Sequence, residues 1–129
     1  MRKLLTALSI LTAVALAPLA AQAQYASCPL SQEVPTQVTA ARTVGPNDVC
    51  RFFYVTTNNT TIALPAANTL PVGFHIWIKS VAGVTTTVSQ TTGQLDGSST
   101  SPLSISGGSG VGLYTDGTNF WSTGAGVSH

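Results

Sequence analysis

"VGLYTDGTNFWS", residues 111–122, decides the reading of the fold. An apolar and aromatic run reaches Asp116-Gly117, and a second one resumes at Asn119-Phe120-Trp121. Two strand-like runs separated by Asp-Gly are a strong hairpin signal. Glycine takes the positive φ of a tight turn at no steric cost. Aspartate tolerates the same backbone region, and its carboxylate can accept from nearby backbone N–H groups. Successive side chains of a strand point to opposite faces. If Leu113 points inward, Tyr114 points outward, and Phe120 and Trp121 split in the same way. Aromatic contact across the two arms then stabilises the hairpin.

Working outward, the rest of the chain reads as short strands. In "FHIWIK", residues 74–79, Phe74, Ile76 and Ile78 face one way and His75, Trp77 and Lys79 the other. That period of two marks a half-buried strand. "RFFYVTT" (51–57), "TIAL" (61–64, after an Asn58-Asn59 turn), "VTTTVS" (84–89) and "LSI" (103–105) are β-branched or aromatic. "GQLDG" (93–97) carries a second Asp-Gly turn signal. Pro65, Pro71, Pro102 and the glycines punctuate these runs. Beyond Cys28 no window holds a helical period, and residues 36–43 have room for a turn or two of helix at most. The expected class is all-β, a small antiparallel sandwich or a barrel-like unit.

The first residues read as an address rather than as fold. "MRKLLTALSILTAVALAPLAAQAQ" places Arg2 and Lys3 before a nearly unbroken apolar run, Leu4 to Leu19, and then Ala21-Gln22-Ala23. This is the pattern of a secretory signal peptide, residues 1–23, cleaved after Ala23. It predicts an exported protein: periplasmic, secreted or held at the cell surface. No later stretch is apolar enough for a membrane span. Residues 24–129 then form the mature chain.

Export also bears on Cys28 and Cys50, the only two cysteines. An oxidising compartment favours their pairing. They lack the C-x-x-C spacing of redox pairs. A Cys28–Cys50 bridge would staple residues 24–50, which hold three prolines and no periodic pattern, to the β-domain of residues 51–129.

Charge narrows the partners. The mature chain has Arg42, Arg51 and Lys79 against Glu33, Asp48, Asp96 and Asp116, a net of −1. Three scattered cations cannot track a phosphate backbone, which argues against nucleic acid. The carboxylates stand singly, and Asp96 and Asp116 each precede a glycine as turn residues do. There is no nucleophile motif, no phosphate-binding loop and no cluster of metal ligands. The expectation is a protein with no catalytic residues and no cofactor.

From residue 58 to 122 a resemblance appears. "TIALPAANTLPVGFHIWIKSVAG", the later "GQLDGSS" and the closing "VGLYTDGTNFWS" together resemble a recurrent unit of bacteriophage tail-fibre and head-fibre domains. The family pattern is a T-x-x-L-P strand, a glycine, an alternating strand ending near a lysine, a polar turn, and an aromatic hairpin around D-G-T-N. The resemblance implies a small non-enzymatic β-fold with a structural or adhesive role, commonly a homotrimer. The signal peptide and the Cys28–Cys50 segment depart from that pattern. They point to reuse as a bacterial surface or periplasmic module.

The aromatic residues supply the candidate binding site. An exposed ring beside short polar groups suits a surface glycan or a protein, and Trp77, Tyr114 and Trp121, with Asp116 and Asn119 nearby, offer that combination. The competing reading places Trp77 and Trp121 in the core or in the seam of a trimer. A monomeric carbohydrate- or protein-binding domain is therefore the alternative to the fibre-like module.

Overall fold

The computed structural model describes residue 28, residues 35–99 and residues 102–129. The proposed signal peptide and Glu33 lie outside them. Among the described residues there are eight strands: β1 (Pro35–Val38), β2 (Arg42–Thr43), β3 (Phe52–Val55), β4 (Thr60–Leu64), β5 (His75–Ser80), β6 (Thr86–Gln90), β7 (Leu103–Thr115) and β8 (Phe120–Ser128). They make one nearly closed, barrel-like sheet in the order β1-β3-β5-β7-β6-β4-β2, with β8 added to β7. The all-β expectation holds.

The pairing directions correct one part of that expectation. Among the named strands of the described residues, only the contacts of β7, with β5, β6 and β8, are antiparallel. The odd strands β1, β3 and β5 stack in parallel, Pro35 on Phe52 and Phe52 on Trp77. The even strands β2, β4 and β6 stack likewise, Arg42 on Ile62 and Ile62 on Val88. The chain thus coils through three turns, each an odd strand, a corner and an even strand. Neighbours in sequence, such as β3 and β4, lie on different sides of the coil.

The corners explain why these links do not fold back as hairpins. Asn59 has φ +58°, and its N–H donates to the Thr85 carbonyl at 2.9 Å. Asn58 Oδ1 accepts from Thr85 N at 2.8 Å. One corner is therefore hydrogen-bonded to the next rather than closed on itself. Residues 36–43, where the sequence left room for a turn or two of helix, are instead β1, a corner and β2.

β7 closes the coil. Its first part, Leu103–Ile105, lies on β6, and its later part, Gly110–Tyr114, lies on β5. The two runs read separately in the sequence, 103–105 and 111–114, are thus one bent strand. The bend passes over the corner between β5 and β6. A side chain on Gly107 would stand 2.6 Å from Gly83 N, so only glycine allows the crossing. β8 follows β7 around the bend, with a register shift between Ile105 and Gly110.

Inside the coil the alternating residues meet. Phe53, Val55, Ile76 and Ile78 come from one side, and Ile62, Leu64 and Val88 from the other. Leu103, Ile105, Val111 and Leu113 of β7 join them. One polar pair is buried with them: Ser80 Oγ donates to Thr86 Oγ1 at 2.6 Å, tying the end of β5 to the start of β6.

The Asp-Gly signals both mark turns. Leu95 and Ser98 exchange backbone hydrogen bonds of 2.8 and 3.0 Å, and Asp96 and Gly97 between them have φ of +52° and +82°. Both central residues with positive φ define the type I′ turn. The hairpin at 111–122 pairs Tyr114 with Trp121 and Thr115 with Phe120. Leu113 and Phe120 are buried, and Tyr114 and Trp121 are exposed, the split the alternation predicts.

The disulfide is present. Cys28 and Cys50 are joined with their Cα atoms 5.5 Å apart. A buried carboxylate steadies the same region. Asp48 accepts from Arg42 at 2.7 Å and from Gly45 N at 3.0 Å, and Arg51 Nε lies 3.2 Å away.

Candidate functional site

The outward face of β5, β7 and β8 gathers the exposed rings. His75 pairs with Tyr114 across β5 and β7, and Tyr114 pairs with Trp121 across β7 and β8. In the next row Phe52 pairs with Trp77, Trp77 with Gly112, and Gly112 with Thr123. Period two puts both rows on one side of the sheet. Trp77, Tyr114 and Trp121 are 45%, 43% and 37% exposed, and among the described residues they are the exposed large hydrophobics. Trp77 is therefore not a core residue.

Gly112 makes room on this face. A Cβ there would stand 2.9 Å from Trp77 Cζ3 and 2.9 Å from Thr123 Oγ1. The indole of Trp77 thus lies against bare backbone. The result is a shallow apolar trough of about 230 Å³ between Trp77 and Tyr114, also lined by His75, Gly112 and Thr123.

The polar candidates take a different place. Asp116 Oδ1 accepts from Thr118 N at 2.8 Å and from Asn119 N at 2.7 Å. Asp116 Oδ2 accepts from Trp121 Nε1 at 2.9 Å. The Asn119 backbone N–H, the Trp121 indole and the Thr118 N–H, in that order, hold the Asp116 carboxyl below the usual aspartate value. Asn119 Oδ1 accepts from Gln94 N at 3.1 Å, tying the hairpin to the 93–97 segment. Asp116 positions a ring and Asn119 joins two turns. Neither lines the trough.

The other described carboxylates are also engaged. Asp48 serves the arginines, and Asp96 accepts from Ser122 N at 2.6 Å and from the Ser122 hydroxyl.

Sequence reasoning did not count Phe52, Gly112 or His75 among the binding residues, although alternation put His75 on the same face as Trp77. Alternation could have placed Gly112 beside Tyr114 on one strand face. It could not have shown that Trp77 covers the glycine, because that contact needs the β5–β7 register. His75 emerges next to the disulfide: its Nε2 is 2.8 Å from Cys28 Sγ and its Nδ1 is 3.1 Å from the Gly73 carbonyl.

Among the described residues no helix is long and apolar enough to cross a membrane. No protein-family model, curated protein or solved structure matches the chain.

Proposed function

We propose that the chain is an exported, non-enzymatic adhesive β-module whose outward aromatic face holds a pyranose ring of a surface glycan. The observation that carries this reading is the grouping of Trp77, Tyr114 and Trp121, the exposed large rings, at adjoining register positions of one sheet face. An aromatic face is apolar and carries a negative quadrupole, so it packs against the C–H face of a sugar while the hydroxyls stay in water. A concentrated exposed apolar patch is a binding surface more often than an accident of folding. The engagement of Asp48, Asp96 and Asp116 in turns and ion pairs supports a role without acid–base chemistry. The signal-like residues 1–23 and the Cys28–Cys50 bridge support export.

A second reading makes the same face the seam of a homotrimer, as the fibre-domain resemblance implies. It is favoured by the sparse charge of that face, where Lys79 is the cation on β5.

Glycan-array binding of residues 24–129, with light scattering on the same sample, separates the two. On the glycan reading, Trp77→Ala and Tyr114→Ala each weaken retention about tenfold or more, equivalent to ~1.4 kcal/mol, with the circular dichroism spectrum unchanged. Retention that ignores both substitutions overturns it. A stable trimer whose tryptophans are shielded from a soluble quencher transfers the face to the seam reading.

A further inference from the structure

The Cys28–Cys50–His75 cluster has a geometry that a plain staple does not require. One sulfur from each cysteine and one ring nitrogen lie within 4.8 Å of one another. The Gly73 carbonyl beside His75 Nδ1, at 3.1 Å, can only accept. Nδ1 therefore carries the hydrogen, and in the neutral ring Nε2 presents a lone pair. That lone pair faces Cys28 Sγ at 2.8 Å, and a disulfide sulfur has no hydrogen to offer. An imidazole fixed at one nitrogen by a backbone carbonyl, with the other aimed at sulfur, is how proteins orient a metal-binding histidine.

The backbone keeps two of the three donors in place without the S–S bond. Cys50 N donates to the His75 carbonyl at 2.7 Å. Cys50 also has φ +65°, a left-handed conformation that a non-glycine residue holds only when its surroundings enforce it. Donors around a tetrahedral zinc ion stand roughly 3.5–3.8 Å apart, from Zn–S of about 2.3 Å and Zn–N of about 2.0–2.1 Å. To hold the ion, the two sulfurs must separate and Cys28 Sγ must draw back from its 2.8 Å contact with His75 Nε2, both by side-chain rotation. Cys28 and His75 are half-buried, which leaves an approach for the ion and a fourth position for water.

We propose that Cys28, Cys50 and His75 form a redox-gated site for a divalent cation of the zinc class: a covalent staple when oxidised, a two-thiolate, one-imidazole site when reduced. Opening needs an external dithiol. It transfers two electrons and two protons to the S–S bond, closes to its own disulfide and leaves two cysteine thiols. Binding of Zn²⁺ then displaces both thiol protons to solvent. The site shares His75 with the edge of the aromatic trough, but the metal-binding proposal does not depend on the glycan reading.

The test uses the mature chain reduced anaerobically with a tertiary phosphine, which becomes the phosphine oxide by taking oxygen from water. Co²⁺ serves as spectroscopic probe and Zn²⁺ as competitor. The expected result is one Co²⁺ per chain, a thiolate-to-metal charge-transfer band, its displacement by Zn²⁺, and no band with oxidised protein. His75→Gln should weaken binding about 10- to 100-fold, and Cys28→Ser or Cys50→Ser should abolish the two-thiolate band. Circular dichroism follows the fold throughout, and Zn²⁺ should raise the melting temperature of the reduced chain. A reduced chain that takes up no ion, or one that binds equally well with Gln at position 75, overturns the proposal. So does an unfolded reduced chain whose binding ignores His75.

Discussion

Trp121 donates its indole N–H to the Asp116 carboxylate at 2.9 Å. The turn that closes the β7–β8 hairpin therefore also sets the attitude of a ring on the exposed face. Three donors converge on this carboxylate, and all three favour its ionised form, which is why its pKa lies below 3.8.

A pH dependence with a definite sign follows from that depression. The stability contributed by the ionised Asp116 is fully present above the ordinary aspartate pKa of 3.8 and is lost as pH falls through the lower folded-state value. The Trp121 indole N–H resonance, followed by NMR in acid titration, should move with a midpoint below 3.8. Asp116→Asn should remove that titration. A midpoint at or above the ordinary value would show that the three bonds do not persist in solution.

Gly112 and Gly124 should respond differently to alanine. At Gly112 the new methyl meets side-chain atoms of Trp77 and Thr123, which can turn aside. The expected cost is about 1 kcal/mol, with displacement of the Trp77 ring and loss of glycan retention. At Gly124, φ is +154° and the methyl would stand 2.4 Å from the Gly110 carbonyl oxygen, a backbone atom that cannot yield. Gly124→Ala should cost about 3 kcal/mol or more. Denaturant unfolding of the two variants checks the order, and equal losses would refute the assignment of Trp77 to the space above Gly112.

The Ser80–Thr86 pair gives a third expectation. Thr86→Val removes the acceptor of a fully buried 2.6 Å bond. Ser80 Oγ then has the Ile105 carbonyl, 3.4 Å away, as its remaining acceptor. The loss should be about 1–2 kcal/mol. Adding Ser80→Ala should cost less than its own single-variant value, because the stranded hydroxyl leaves with it. Additive losses would mean that the two hydroxyls are not coupled.

The Cys28–Cys50 bridge closes a separation of 22 residues. A loop of that size corresponds to about 3 kcal/mol of unfolded-state entropy. For a domain of roughly 100 residues this is a fall of about 10–20 °C in melting temperature on reduction without metal. Non-reducing mass spectrometry of exported protein should find the two cysteines joined and no free thiol. A melting temperature unchanged by reduction would remove the bridge from the account of stability.

Local chemistry made much of the fold legible. The alternation of "FHIWIK" assigned His75, Ile76, Trp77, Ile78 and Lys79 of β5 to their observed faces. Asp116-Gly117 located the closing hairpin, and Asp96-Gly97 located the second turn. The coil was not legible. Pro35 stacks on Phe52, 17 residues on, but Phe52 stacks on Trp77, 25 residues on. In the even ladder the steps are 20 and 26. Turns of unequal length leave no sequence period to detect, although each repeats the same strand–corner–strand path.

The sequence by itself determined which residues turn inward, where the chain reverses tightly, and that few charges remain to decorate the surface. These properties depend on neighbours one to four residues apart, and steric and solvation preferences act at that range. Parallel stacking, the passage of Gly107 over the β5–β6 corner, the cover of Gly112 by Trp77 and the meeting of His75 with Cys28 and Cys50 were decided by tertiary structure. Each depends on register between distant segments, which is settled when alternating faces compete to fill one interior.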